Sequence, residues 1–221
     1  MIYTANEYIA IAESDSPLGP FTQKEETKLS GDTKQIDPFV FFDDDGKIYL
    51  IYVRFDGGNK LFIAEMKPDL SDLIMETRRY CIESDAGTWE DTDNSEWRVC
   101  EGPTVLKMDN KYYLLYSSND FRSIDYAVGY AISNSLTGGW EKYDNNLLVD
   151  RHMINHNGPG HGDLFTDKEG NLKYVLHYHA NDSTVHQRKT GIINVMIESD
   201  GNDGNVISFN PDTFREFLLK R

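Results

Sequence analysis

Apolar and polar residues along this chain recur with a period of two rather than 3.6, the pleat of a strand rather than the turn of a helix. Tyr- and Val-rich stretches of strand length recur between turns, three of them prominent: Lys47-Ile48-Tyr49-Leu50-Ile51-Tyr52-Val53, Lys111-Tyr112-Tyr113-Leu114-Leu115-Tyr116-Ser117 and Leu172-Lys173-Tyr174-Val175-Leu176-His177-Tyr178-His179. Each follows a turn of Asp, Asn or Gly: Asp43-Asp44-Asp45-Gly46, Asp109-Asn110 and Asp167-Lys168-Glu169-Gly170. Such residues accept the positive φ of a tight hairpin. No long stretch has the stripe of an amphipathic helix, so the pattern predicts an all-β chain of short strands.

The strands repeat. A short polar-then-apolar strand precedes each turn, beginning at Asp37, Glu101 and His161, which lie 64 and 60 residues apart. The Tyr-rich strand follows 10, 10 and 11 residues later, and a third begins at Leu61, Ala127 and Thr190. Ser14-Asp15-Ser16-Pro17-Leu18-Gly19-Pro20-Phe21 also matches Ser133-Asn134-Ser135-Leu136-Thr137-Gly138-Gly139-Trp140, 119 residues on. A four-stranded antiparallel unit recurring every ~60 residues predicts a β-propeller, the alternative being a β-sandwich with coincidental spacing. The expected units are a partial blade over 1–36 and blades over 37–100, 101–160 and 161–221. In the partial blade Met1 to Ala5 is the second strand and Tyr8 begins the third. Innermost strands line a propeller's axis, so Asp37, Glu101 and His161 are expected to converge at one end of it.

Composition narrows the function classes. The 221 residues carry a formal charge of −15, which argues against nucleic-acid binding and against an anionic membrane surface. Aromatic residues make up 12%, so the chain has apolar area to bury and is no disordered acidic tail. No apolar run reaches the ~18 residues of a membrane span. Met1-Ile2-Tyr3-Thr4 lacks the character of a signal peptide, so a cytoplasmic location is the default expectation, with export if a signal lies upstream. Cys81 and Cys100 read as free, partly buried thiols rather than a disulfide framework. Asp43 to Asp45 read as a hairpin turn rather than a calcium loop, and most other acids as solvated loops.

Two carboxylates and a histidine at one channel mouth invite acid–base chemistry, since glycoside hydrolysis uses one protonated and one ionised carboxylic acid. Asp37 sits in Gln35-Ile36-Asp37-Pro38 and Glu101 in Cys100-Glu101-Gly102-Pro103, each close before a proline and both at the same position of the repeat. His161 lies in Gly158-Pro159-Gly160-His161-Gly162, whose glycines would let the backbone approach a ligand. A coordinating role and a satisfied core histidine both remain open for it.

Ile36-Asp37-Pro38, Glu101-Gly102-Pro103 and Gly160-His161-Gly162, with Ser14 to Phe21 upstream, resemble glycoside hydrolase family 43 over essentially the whole chain. The resemblance implies a five-bladed propeller and inverting arabinofuranosidase, xylosidase or endo-arabinanase activity on plant cell-wall polysaccharides. It implies that Glu101 is the general acid and that Asp37 is the third carboxylate, which orients that acid and raises its pKa. It implies that His161 lies at the channel centre and can hold a Ca2+ ion largely through waters. Arg188, in His186-Gln187-Arg188-Lys189-Thr190, resembles an arginine that reaches the sugar hydroxyls; a solvated hairpin charge is the other reading. The family's general base opens the first blade, two repeats before Asp37 and so upstream of Met1. Neither Glu7 nor Asp15 occupies an equivalent position, so the base is expected to be absent and turnover depressed.

Three functions remain in view. One is a hydrolase acting on arabinose- or xylose-containing oligosaccharides or polysaccharides. Another is a carbohydrate-binding protein without chemistry, in which Trp89, Trp97, Phe121 and Tyr126 stack on sugars or simply pack between blades. The last is an interaction protein, whose unpaired edge at Met1 to Ala5 suits a homodimer.

Overall fold

The computed structural model describes residues 1–23, 27–145, 147–201 and 204–217. Its strands are β1 (Ile2–Ala5), β2 (Tyr8–Ile11), β3 (Gln35–Phe42), β4 (Ile48–Phe55), β5 (Asn59–Glu65), β6 (Arg79–Ile82), β7 (Cys100–Met108), β8 (Lys111–Ser118), β9 (Ala127–Ser133), β10 (Glu141–Lys142), β11 (Gly160–Thr166), β12 (Leu172–Tyr178), β13 (Lys189–Ser199) and β14 (Asn205–Glu216). A single α-helical turn, α1 (Arg151–Ile154), begins at Asp150, whose carboxylate caps the amides of His152 and Met153. Three antiparallel sheets run in sequence order, β3 to β6, β7 to β10 and β11 to β14, and among the described residues β1 pairs only with β2. Among the described residues no helix is long and apolar enough to cross a membrane.

The sheets stack as propeller blades. β4 and β5 lie against β7, β8 and β9 against β11, and β1 and β2 against β3. β1 and β2 therefore stand where the second and third strands of a blade stand. The bridge Glu13–Thr22 is the counterpart, 119 residues earlier, of the β9–β10 pair Ile132–Glu141. The Ser14-to-Phe21 repeat thus marks the corner leading into the outermost strand.

The strand faces explain why the Tyr-rich segments are apolar almost throughout rather than alternating with polar residues. In β4, Tyr49, Ile51 and Val53 join the core toward β7, while Leu50 and Tyr52 join the core toward β2. In β8, Tyr112, Leu114 and Tyr116 face one interface and Tyr113 and Leu115 the other. A middle strand buried on both faces sends alternate side chains to two cores. Cys81 and Cys100 are free thiols buried in the first of these.

The three innermost strands, β3, β7 and β11, share one irregularity. Each carries a bulge at the same register: Ile36 pairs with Val53 and Phe39 with Ile51, Glu101 with Ser117 and Thr104 with Leu115, Gly160 with His177 and Asp163 with Val175. Two residues on each inner strand therefore oppose one on its neighbour. The first of the two has positive φ every time: 52° at Asp37, 59° at Gly102 and 40° at His161. This corrects the sequence reading, which put Asp37 and Glu101 at one repeat position. The backbone equivalents are Asp37, Gly102 and His161, and Glu101 stands one residue earlier.

Candidate active site

The bulges bring Asp37, Glu101 and His161 together, with one donor atom from each within 4.8 Å of the others. His161 Nδ1 is 3.7 Å from Asp37 Oδ2, and the Gly102 amide points at the same oxygen from 3.4 Å. Thr4 of β1 accepts the Asp37 amide at 3.1 Å. Gly102 has a steric reason to be glycine: a Cβ there would lie 2.8 Å from the His161 ring. The glycines flanking His161 are required by packing, and Gly162 also lines the cavity beside the cluster. A Cβ on Gly160 would meet the Tyr126 ring at 2.3 Å, and one on Gly162 the Val175 carbonyl at 1.9 Å.

A cavity of about 510 Å3 opens beside this cluster, with Asp37, His161, Asp163, His177 and Thr190 in its wall. Glu101 is not in that wall. It is buried against Asp37 and His161 at 7% exposure, and both its oxygens have partners. Asn59 Nδ2 donates to Oε2 at 2.9 Å and the Tyr126 hydroxyl to Oε1 at 2.9 Å. Trp97 Nε1 donates to Asn59 Oδ1 at 3.0 Å, which fixes which face of that amide meets Glu101. Ser117 Oγ accepts the His161 amide at 2.8 Å.

Burial and the nearby Asp37 charge push the Glu101 carboxyl up to about 7, against the opposing pull of His161, Tyr126 and Asn59. Burial also raises Asp37, offset by the Gly102 amide and by Arg188. Two adjacent carboxylates in a desolvated site cannot both ionise easily, so the pair retains a proton where lone acids have lost theirs. Burial lowers His161, with Glu101 opposing, and pushes His177 down to about 3 with help from Arg188.

Arg188 lies at the exposed rim of the site. One guanidinium nitrogen is 2.7 Å from His177 Nε2 and its carbon sits 5.0 Å over the Phe121 ring. Tyr126 and Trp89 are packing aromatics, Tyr126 fully buried and Trp89 stacked on Tyr116. Trp97 remains 46% exposed. Asn59, Ser117 and His177 carried no sequence signal, because only the bulge geometry brings their strands to the cluster. Glu7 lies in the β1–β2 turn, paired with Lys34, and Asp15 in the following loop.

The model of glycosyl hydrolases family 43 matches residues 1–202. The chain belongs to that family. Among solved structures, an endo-1,4-beta-xylanase from Bacteroides thetaiotaomicron superposes with a TM-score of 0.86 at 37% identity, covering 95% of this chain and 69% of its own. A thermostable family-43 glycoside hydrolase gives 0.79 at 31%, covering 91% and 66%. A beta-xylosidase from Xylanibacter ruminicola is 31% identical over 157 residues, 58% of this chain and 48% of that protein. A xylosidase/arabinosidase from Butyrivibrio fibrisolvens is 28% identical over 75% of this chain and 32% of its own. The chain therefore spans half or less of these curated relatives. As a family 43 member it has the five-bladed type of propeller, represented here by three complete blades and part of another.

Proposed function

We propose that this family 43 chain is a glycoside hydrolase acting on xylosyl or arabinofuranosyl linkages of plant cell-wall polysaccharides, with Glu101 as the proton donor. The observation that carries the reading is the pairing of buried Glu101 with half-buried Asp37 at the cavity, where burial and like charge keep a carboxylic proton near neutrality. In the proposed step the Glu101 O–H bond breaks as the leaving glycosidic oxygen takes the proton, and the Asn59 and Tyr126 donors stabilise the carboxylate that results. Asp37 modulates that acid and does not activate water. An inverting pair needs ~6.5–9.5 Å between carboxyl groups to hold a water, and Asp37 and Glu101 approach within 4.8 Å.

The water-activating base has no counterpart in this cluster among the described residues. Asp163, the other carboxylate of the cavity wall, has one oxygen engaged by Thr104 Oγ1 at 2.6 Å and the Leu164 amide at 2.8 Å. The chain alone is accordingly expected to turn over slowly. A second reading, a carbohydrate-binding protein without turnover, draws support from the burial of Glu101 behind the cavity wall.

Hydrolysis of para-nitrophenyl β-xyloside and α-L-arabinofuranoside, with and without azide as a replacement nucleophile, tests both. Slow release that azide accelerates is the expected result for the native chain; Glu101→Gln should largely spare nitrophenolate, which leaves without a proton, and abolish cleavage of xylobiose, whose leaving oxygen needs one. Xylo- or arabino-oligosaccharide binding with no release under either condition would favour the second reading, and absence of both would remove the first.

A calcium ion here would be held by His161 and Asp37. Both Glu101 oxygens are taken, so the protein supplies far fewer than the six to eight oxygens calcium prefers, and water would complete the shell. Such an ion would supply positive charge favouring the ionised form of the carboxyl pair. We also propose that the edge of β1, which among the described residues pairs only with β2, mediates self-association.

A further inference from the structure

Arg188 presents a physical puzzle. It is exposed, yet both its guanidinium face and one of its N–H groups are committed to neighbours. No carboxylate salt bridge holds it among the described residues. Its contacting partners are a ring nitrogen and an aromatic face, the Asp37 charge acts on it only from a distance, and among the described residues its remaining donors have no partner.

His177 can play its part in only one form. Nε2 accepts from the guanidinium, which has no acceptor to offer in return, so the ring proton must sit on Nδ1. That Nδ1 is buried and has no hydrogen-bond partner among the described residues. A buried donor left unpaired is costly, and a histidine retained only for packing has no reason to bear that cost. The His177 ring is also clamped, lying parallel to Tyr126 at 5.5 Å and 7°. Tyr126 in turn donates to Glu101. On the other side, the Phe121 carbonyl is 2.9 Å from His179 Nε2, and His179 is 4% exposed, so the ring under Arg188 is anchored too. Phe121, Arg188, His177, Tyr126 and Glu101 form one unbroken chain of contacts from the rim to the carboxyl pair.

We propose that His177 is a positioning residue for sugar recognition: its neutral Nε2, together with the Phe121 face, holds the Arg188 guanidinium preorganised so that its free donors meet adjacent hydroxyls of a pentose in the cavity. The proposal rests on the carbohydrate-directed reading above. A planar guanidinium suits paired oxygen acceptors, and fixing it in advance removes ordering cost from binding. His177, Thr190 and Asp37 line the cavity, so Arg188, held on His177, stands at its border.

The test has two arms. Nitrogen-15 NMR of the Arg188 side chain reads the restraint without any sugar. Slow guanidinium rotation is expected in the native chain, fast rotation in His177→Phe, which keeps the ring but lacks the acceptor, and partial recovery in His177→Gln. Calorimetry with xylobiose and with arabinobiose reads the consequence. His177→Phe should weaken binding about tenfold, a change within the range of one hydrogen bond to a charged group. It should weaken binding no further when added to Arg188→Ala. Additive losses in the double variant, or guanidinium rotation that His177→Phe leaves unchanged, would overturn the proposal. If neither disaccharide binds the native chain while rotation behaves as expected, recognition of these pentoses fails, and with it the ligand half of the proposal, but the Arg188 restraint stands.

Discussion

Glu101 is the residue on which the chemistry depends, and its burial has a cost that pH exposes. Its folded pKa is raised, so between the ordinary carboxyl range and about 7 the native state binds more protons than the unfolded chain. Stability is therefore expected to fall as pH rises through that window, by on the order of 2–3 kcal/mol. Glu101→Gln removes the charge while keeping the shape and one acceptor. Urea unfolding at pH 5 and pH 8 should show the native protein losing stability at the higher pH and the Gln variant losing much less; equal slopes for the two would show that the carboxyl is not desolvated as described. Asp37 contributes in the same direction, since its pKa is also raised by burial.

At the scale of the element, the bulged inner strands set the site. Their existence was legible in the sequence as three anchors at blade spacing, and the anchors do meet, with donor atoms within 4.8 Å. The offset of Glu101 was not legible. Spacing counts residues, whereas a bulge inserts an extra residue and re-aims the side chains around it. Asp37 and His161 occupy the positive-φ position, and β7 places Gly102 there because the His161 ring fills the space a side chain would need. The supporting groups Asn59, Ser117 and His177 were invisible for a related reason: each becomes informative only when paired across strands to a particular anchor. Gly102→Ala is expected to cost about 2–4 kcal/mol, combining positive-φ strain with a clash against the ring. Thermal unfolding measures the loss, and a drop below about 0.5 kcal/mol, the range of an ordinary surface change, would mean that the ring moves aside freely.

For the molecule as a whole, the all-β architecture of four-stranded sheets was legible in turns and Tyr-rich runs, because a middle strand buried on both faces is written as an unbroken apolar segment. The remaining structural asymmetry is the two-stranded sheet. Met1 and Ala12 exchange backbone hydrogen bonds, so the alternation of an antiparallel ladder turns the Ile2 and Thr4 backbone groups toward the unpaired side. An unpaired edge of this kind recruits strands. Light scattering across a concentration series is expected to show reversible self-association, reduced when Ile2→Pro removes an outward N–H. A strictly monomeric chain at every concentration would rule the edge out as a contact.

The shared bulge also bears on how such a molecule can change. Each inner hairpin delivers one polar group, and the identity of that group is set at or beside a single backbone position whose geometry the hairpin itself maintains. A blade is thus a cassette: its hydrophobic faces answer to its neighbours, while its bulge answers to the cavity and to the bulges beside it. Substitution at the bulge can reassign a functional group without altering either packing interface, provided the incoming residue tolerates positive φ and leaves room for the His161 ring. Asn and Asp meet the backbone condition most readily. Design of new acid, base or ligand combinations on this scaffold should start there, one hairpin at a time.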